Sequence, residues 1–178
     1  MMIDRLRYKV YLSLLTSLAI VVHTMESSFP TPFPWLRFGL SNIITLAVIV
    51  LFGLKAGMTV TLLKITIGTL LMGTFLTPSF FLAFSGGIAS TLVLALAHSI
   101  FSPWLSVVGI SILGAYTHTL VQVLVAYFIL IKHFQVFLLL PFFLTFSLIT
   151  GFISGLGANY LVKYLREVPN IKTLSELK

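Results

Sequence analysis

Lys64 stands near the centre of an apolar stretch, about Ala56 to Phe75, that is long enough to cross a bilayer. A cation at that depth costs roughly 2.5 kcal/mol or more on insertion scales, so by default it marks a functional site. Other polar side chains sit at comparable depth in neighbouring apolar stretches. His118 and Gln122 are four apart and share one face of a predicted helix; Asn42 falls in the first turn of another; Ser85, Gly86 and Gly87, with Ser90 nearby, lie a turn or two inside a third. Glu26 is the acid nearest this group, and Arg37 belongs at the headgroups. All of these can line one cavity that opens outward. Each also has a structural reading. Lys64 can pair with Glu26 or snorkel along its stem, His118 and Gln122 can bond across helices, and Gly86-Gly87 can serve close packing. His98, near the other membrane face, reads as interfacial.

The residue types that are missing narrow the chemistry. There are four acids, Asp4, Glu26, Glu167 and Glu176, too few and too scattered to hold Mg²⁺ on a diphosphate, so neither a metal nor a cofactor is expected. With Asp4 as the sole aspartate, at the chain start, no Ser/His/Asp set can be assembled. The chain has no phosphate-binding loop motif for ATP hydrolysis, and no series of intramembrane acids for a proton relay. Cysteine is absent, which removes disulfides, thiolate metal sites and a cysteine nucleophile. The formal charge of +7 is spread over the ends of apolar segments instead of forming a stripe, so it reads as a topology signal and not as a nucleic-acid surface. A non-enzymatic, outward-facing binding protein that needs an external energy source fits best.

With 58% hydrophobic and 8% charged residues and a mean hydropathy of +1.11, the 178-residue chain has too little polar surface for a soluble domain. It is expected to be an all-α integral membrane protein, because separate spans in lipid satisfy their backbones only as helices. Six segments are predicted: about Arg7 to Met25, Gly39 to Gly53, Ala56 to Phe75, Phe80 to Ser99, Ser102-Pro103-Trp104 to near Ile131, and Val136 to Leu165. Arg5, Arg7 and Lys9 before the first run resemble a secretory signal. No small-x-small site follows and the run continues at full membrane length, which favours a retained helix. Arg5, Arg7, Lys9, Lys55, Lys163, Arg166, Lys172 and Lys178 collect on one side, against Arg37 and Lys132 on the other. The positive-inside rule then puts both termini in the cytoplasm of a multi-pass cell-membrane protein. The whole of 1–178 reads as one domain, with cytoplasmic ends at about 1–6 and 166–178 and an outer loop at about 26–38.

That outer loop alternates proline with aromatic residues from Phe29 to Trp35, which stiffens it into an extended path. It suits a lid over a pocket, an interfacial aromatic belt, or both. Ser147, Gly151 and Gly155, with Asn159 one step further, form a small-residue face on the sixth segment for close helix packing. Ser13 and Ser17 form a similar pair on the first, widened by Thr16 and Ala19; an internal contact and a docking groove for a partner helix both fit.

Several strings carry a family resemblance. The run His23 to Leu46 contains Glu26-Ser27, Pro30-x-Pro32-x-Pro34-Trp35 and Gly39-Leu40-Ser41-Asn42. Leu62-Leu63-Lys64 with Gly68 and Gly73, Ser85-Gly86-Gly87 with Ser90, Gly114-Ala115-Tyr116-Thr117-His118 with Gln122, and Thr150-Gly151 with Gly155 follow in order. Together they resemble the Gx transporter family, often labelled heptaprenyl diphosphate synthase component I, over about Leu14 to Ala158. Thr119 departs from the asparagine expected after the histidine. The family is similar to the S components of energy-coupling-factor (ECF) transporters: six-helix proteins that capture a vitamin-like compound outside and dock on a T component with two ATPases. The resemblance implies an S-component-like bundle, a first outer loop that closes over the ligand, and Ser13 and Ser17 in place of an AxxxA docking patch. It makes Glu26, Trp35, Arg37, Asn42, Lys64, Gly86, Gly87, His118 and Gln122 the candidate pocket residues. The synthase label implies a prenyl- or quinone-related ligand, or an accessory role in isoprenoid metabolism; catalysis of that reaction would need aspartate-bound Mg²⁺, which this chain lacks.

Overall fold

Polar and apolar residues are distributed inside out. Lys64, Thr61, Ser90, Thr91, Ser111 and Gln122 are buried, whereas Leu63, Leu92, Leu96, Leu120, Leu124, Phe152 and Leu156 face outward. That pattern is stable where the surroundings are hydrocarbon and the polar groups must find partners inside the protein. A computed structural model describes residues 2–29, 38–168 and 171.

The described residues form six α-helices: α1 Met2–Ser28, α2 Leu40–Phe52, α3 Leu54–Leu71, α4 Pro78–Phe101, α5 Val107–Ala126 and α6 Leu140–Glu167. A π-helical turn, Tyr127–Ile131, extends α5, and a 3₁₀ segment, Phe134–Leu139, leads into α6. Around the bundle α1 packs on α3, α3 on α4, α4 on α5 and α5 on α6, while α2 touches α1, α3, α4 and α6. Five helices are long and apolar enough to cross a membrane, so the chain is a multi-pass membrane protein.

The second segment differs from a full span. At 13 residues and 1.5 Å per residue, α2 is about 20 Å long, short of the hydrocarbon thickness. Nine of its residues are buried, so it is the internal helix of the bundle. Gly53 allows the immediate reversal into α3: its φ of 85° and ψ of −175° suit glycine alone, and its N–H still reaches Ile49 O at 2.8 Å.

Other boundaries move for local reasons. α1 begins five residues before Arg7 and runs on to Ser28, so Glu26 is helical and not part of the outer loop. α3 ends at Leu71 instead of Phe75, with Gly73 at φ 66° and Leu76 at φ 60° turning the chain toward Pro78. α5 begins after Pro103-Trp104, because the Ser106 side chain accepts from Gly109 N at 3.2 Å and caps the helix there.

Tyr8 of α1 stacks edge-on against Phe52 at the end of α2, with ring centroids 5.4 Å apart. The start of α1 and the α2–α3 turn therefore lie at one end of the bundle. Exposed Arg5, Arg7, Lys9 and Lys55 make that end cationic.

Candidate functional site

At the opposite end, a cavity of about 70 Å³ takes lining residues from all six helices. His23 and Glu26, three apart, come from the inward face of α1; Ser41 and Asn42 from the first turn of α2; Lys64 and Ile65 from α3. Ala83 and Gly87 on α4, His118, Thr119, Gln122 and Val123 on α5, and Phe143, Phe146, Ser147 and Thr150 on α6 complete it. A space of this size holds a few waters or a small organic group, and its wall mixes amides and charges with aromatic and aliphatic surface.

Two charges organise the α2 side. Lys64 is only 2% exposed and donates to Asn42 Oδ1 at 2.7 Å, Thr45 Oγ1 at 2.9 Å and Ser41 Oγ at 3.3 Å. Glu26 accepts from the backbone N–H of Leu40 at 2.8 Å and of Ser41 at 3.1 Å. The carboxylate thus caps the start of α2 from a different helix, where an anion is favoured by unpaired N–H groups and the helix dipole. Below it, the α3–α4 contact carries a buried hydroxyl pair, Thr61 with Thr91, at 2.7 Å. Among the described residues no hydrogen-bond partner meets the Gln122 side chain, which is 5% exposed and borders the cavity.

Six of the nine residues expected in the pocket, Glu26, Asn42, Lys64, Gly87, His118 and Gln122, line this one cavity. Gly86 lies one step round α4 and packs on α5: a Cβ there would stand 2.9 Å from Gln122 Cγ and 3.1 Å from His118 O. Gly87 borders the cavity and also brings α4 onto α3, since its Cβ would stand 2.5 Å from Ile65 Cδ1. Trp35 and Arg37 lie outside the described residues, as does 30–37 of the proline-aromatic loop. Ser85 turns back on its own helix, bonding Phe81 O at 2.7 Å. Ser90 instead borders a second cavity of about 30 Å³, shared with Asn42, Ser111 and Ser154.

The small-residue faces resolve differently. On α6, Gly151 and Gly155 meet α5, with Cβ positions 2.9 Å from Ala115 Cβ and 2.7 Å from Val108 Cα. Ser147 of the same face does more: it bonds Thr119 across the helices and borders the cavity. The patch on α1 divides, because Thr16 and Ala19 are buried while Ser13 and Ser17 are exposed beside Leu14 and Leu18. Ser13 and Ser17 thus lie on the outward face of α1.

Sequence reasoning passed over His23, Ser41, Thr45, Thr119, Phe143, Phe146 and Thr150 as site residues. The signals were present for two groups. His23 is three before Glu26, and Ser41 and Thr45 are four apart on α2, the spacings that put side chains on one face.

The fold is a six-helix membrane bundle of the kind seen in a solved S component. The solved structure of the S component of a bacterial ECF transporter matches with a TM-score of 0.61 and 21% identity, over 89% of this chain and 97% of that one. Residues 15–161 match the family described as heptaprenyl diphosphate synthase component I, and the chain belongs to that family. No curated protein matches the chain.

Proposed function

We propose that the chain is the substrate-binding membrane subunit of an ECF-type importer. It would capture a small vitamin-, quinone- or prenyl-related molecule from the outer side and pass it on with a T component and two ATPase subunits. The observation that carries this reading is a cavity where amides and charges from separate helices meet, at the end away from the cationic residues. By the positive-inside rule that end faces outward and both termini face the cytoplasm. Trp35 and Arg37 would close the pocket from the proline-aromatic loop, and the exposed Ser13–Ser17 strip of α1 would receive the T component.

The family's description favours a second reading, a non-catalytic accessory of polyprenyl diphosphate metabolism. A catalytic role fits poorly, because Asp4 and Glu26 are 22 residues apart on α1, about 33 Å at helical rise, and cannot share a metal. Gentle extraction followed by native mass spectrometry tests both readings. A retained small molecule together with a T component and ATPases supports the importer; a prenyltransferase partner in their place supports the accessory role. Recovery of the chain with no bound molecule and with neither partner would sink the proposal.

A further inference from the structure

An ammonium has three protons to donate and no lone pair. All three of Lys64 have acceptors, Asn42 Oδ1, Thr45 Oγ1 and Ser41 Oγ, and all three acceptors belong to the first turns of α2. The same turn is held from two further sides. Glu26 on α1 takes the N–H groups of Leu40 and Ser41, and Ser154 on α6 donates to Gly39 O at 3.1 Å. Three helices thus grip the start of a fourth, and among the described residues both Lys64 and Glu26 take part in doing so.

The consequence falls on the amides. Because Asn42 Oδ1 receives the ammonium, its Nδ2 protons are left to point elsewhere, and Asn42 borders both cavities. Nδ2 lies 3.5 Å from where a Cβ on Gly39 would stand. Gln122, buried at the same cavity with no described hydrogen-bond partner, offers one carbonyl and two N–H protons. A buried polar group left bare costs free energy that a ligand recovers by pairing with it. Ile65, Val123 and Phe143 supply the apolar wall, and the imidazoles of His23 and His118 also line the cavity.

Resting on the binding function proposed above, we infer that Lys64 is a positioning residue that orients the Asn42 amide for the cavity. A ligand in the cavity would accept from Asn42 Nδ2 and exchange bonds with Gln122, its apolar body against Phe143. This assigns Lys64 a task distinct from recognising an anionic head group.

The chain has three asparagines, Asn42, Asn159 and Asn170, so selective ¹⁵N-asparagine labelling in nanodiscs yields three side-chain amide pairs. The Asn42 pair is identified by its loss in Asn42→Asp. It is expected to be shifted from free-asparagine values and to exchange slowly with solvent, in the native chain and in Lys64→Arg. In Lys64→Met it should move to free-asparagine values and exchange about tenfold faster or more. Should that variant fail to fold, Ser41→Ala with Thr45→Val removes two of the three acceptors at nearly constant shape and should loosen the same signal. An unchanged Asn42 pair in both variants overturns the positioning role.

Access to the cavity is read separately. In Gln122→Cys, the sole thiol of the chain, neutral methyl methanethiosulfonate should react. Failure of the reagent would remove the binding reading itself, leaving the Asn42 result to stand.

Discussion

Glu26→Gln alters the chemistry of one buried oxygen and tests the clamp on α2 most directly. Glu26 is 4% exposed, with its two oxygens on the N–H groups of Leu40 and Ser41 at 2.8 and 3.1 Å. Glutamine keeps one carbonyl oxygen and so keeps one bond. Its –NH₂ would face the second N–H donor to donor, leaving a buried group unsatisfied at a cost of about 1–3 kcal/mol. Losing the anion at the positive end of the α2 dipole adds about 0.3–1 kcal/mol, and up to about 2 kcal/mol in a buried setting. The expected loss is therefore about 2–4 kcal/mol, most of it desolvation of the orphaned N–H. Glu26→Ala strips both N–H groups and should lose more. Reversible unfolding of the purified protein in mixed micelles by sodium dodecyl sulfate measures both. A loss below about 0.5 kcal/mol for Glu26→Gln, the level of an ordinary surface substitution, would refute the reasoning that α2 is anchored through α1.

The other expectations concern packing and assembly. Gly155→Ala places a Cβ 2.7 Å from Val108 Cα and 2.9 Å from Ser111 Cβ. Backbone cannot rotate away, so overpacking of about 1–3 kcal/mol should outweigh a helix-propensity gain of about 1 kcal/mol, seen as a lower unfolding midpoint. Thr61→Val and Thr91→Val should each cost about 1 kcal/mol while the double variant costs little more than either, a coupling readable in a double-mutant cycle. Additive losses would deny the hydroxyl pair. Ser17→Trp, on an exposed face of α1, should leave the fold intact and block co-purification with a T component; an assembled complex would clear that face of the role.

Much of the candidate site was legible because helical spacing is strict. The four-residue gap between His118 and Gln122 put both on one face, and both line the cavity. What failed was direction within a cluster. Ser85, Gly86 and Gly87 are neighbours in sequence, yet at 100° per residue they address their own helix, α5 and α3 respectively. Thr16 and Ala19 were grouped with Ser13 and Ser17 by size, although burial separates them. Helix starts moved for the same kind of reason: the Ser106 cap, not the preceding proline, decides where α5 begins.

Sequence alone determined that this chain lives in a membrane as helices, since its apolar content leaves no soluble alternative and lipid leaves the backbone no other partner. It also singled out which polar residues are costly to place in a span, because the cost of placing Lys64 among hydrocarbon depends on its own span. Whom each polar group faces was decided by tertiary structure. Hydrogen bonds act over about 3 Å, and residues 23 positions apart, such as Ser41 and Lys64, meet only once α2 is enclosed by its neighbours. That enclosure directs the lysine to α2 and leaves the Gln122 amide facing the cavity.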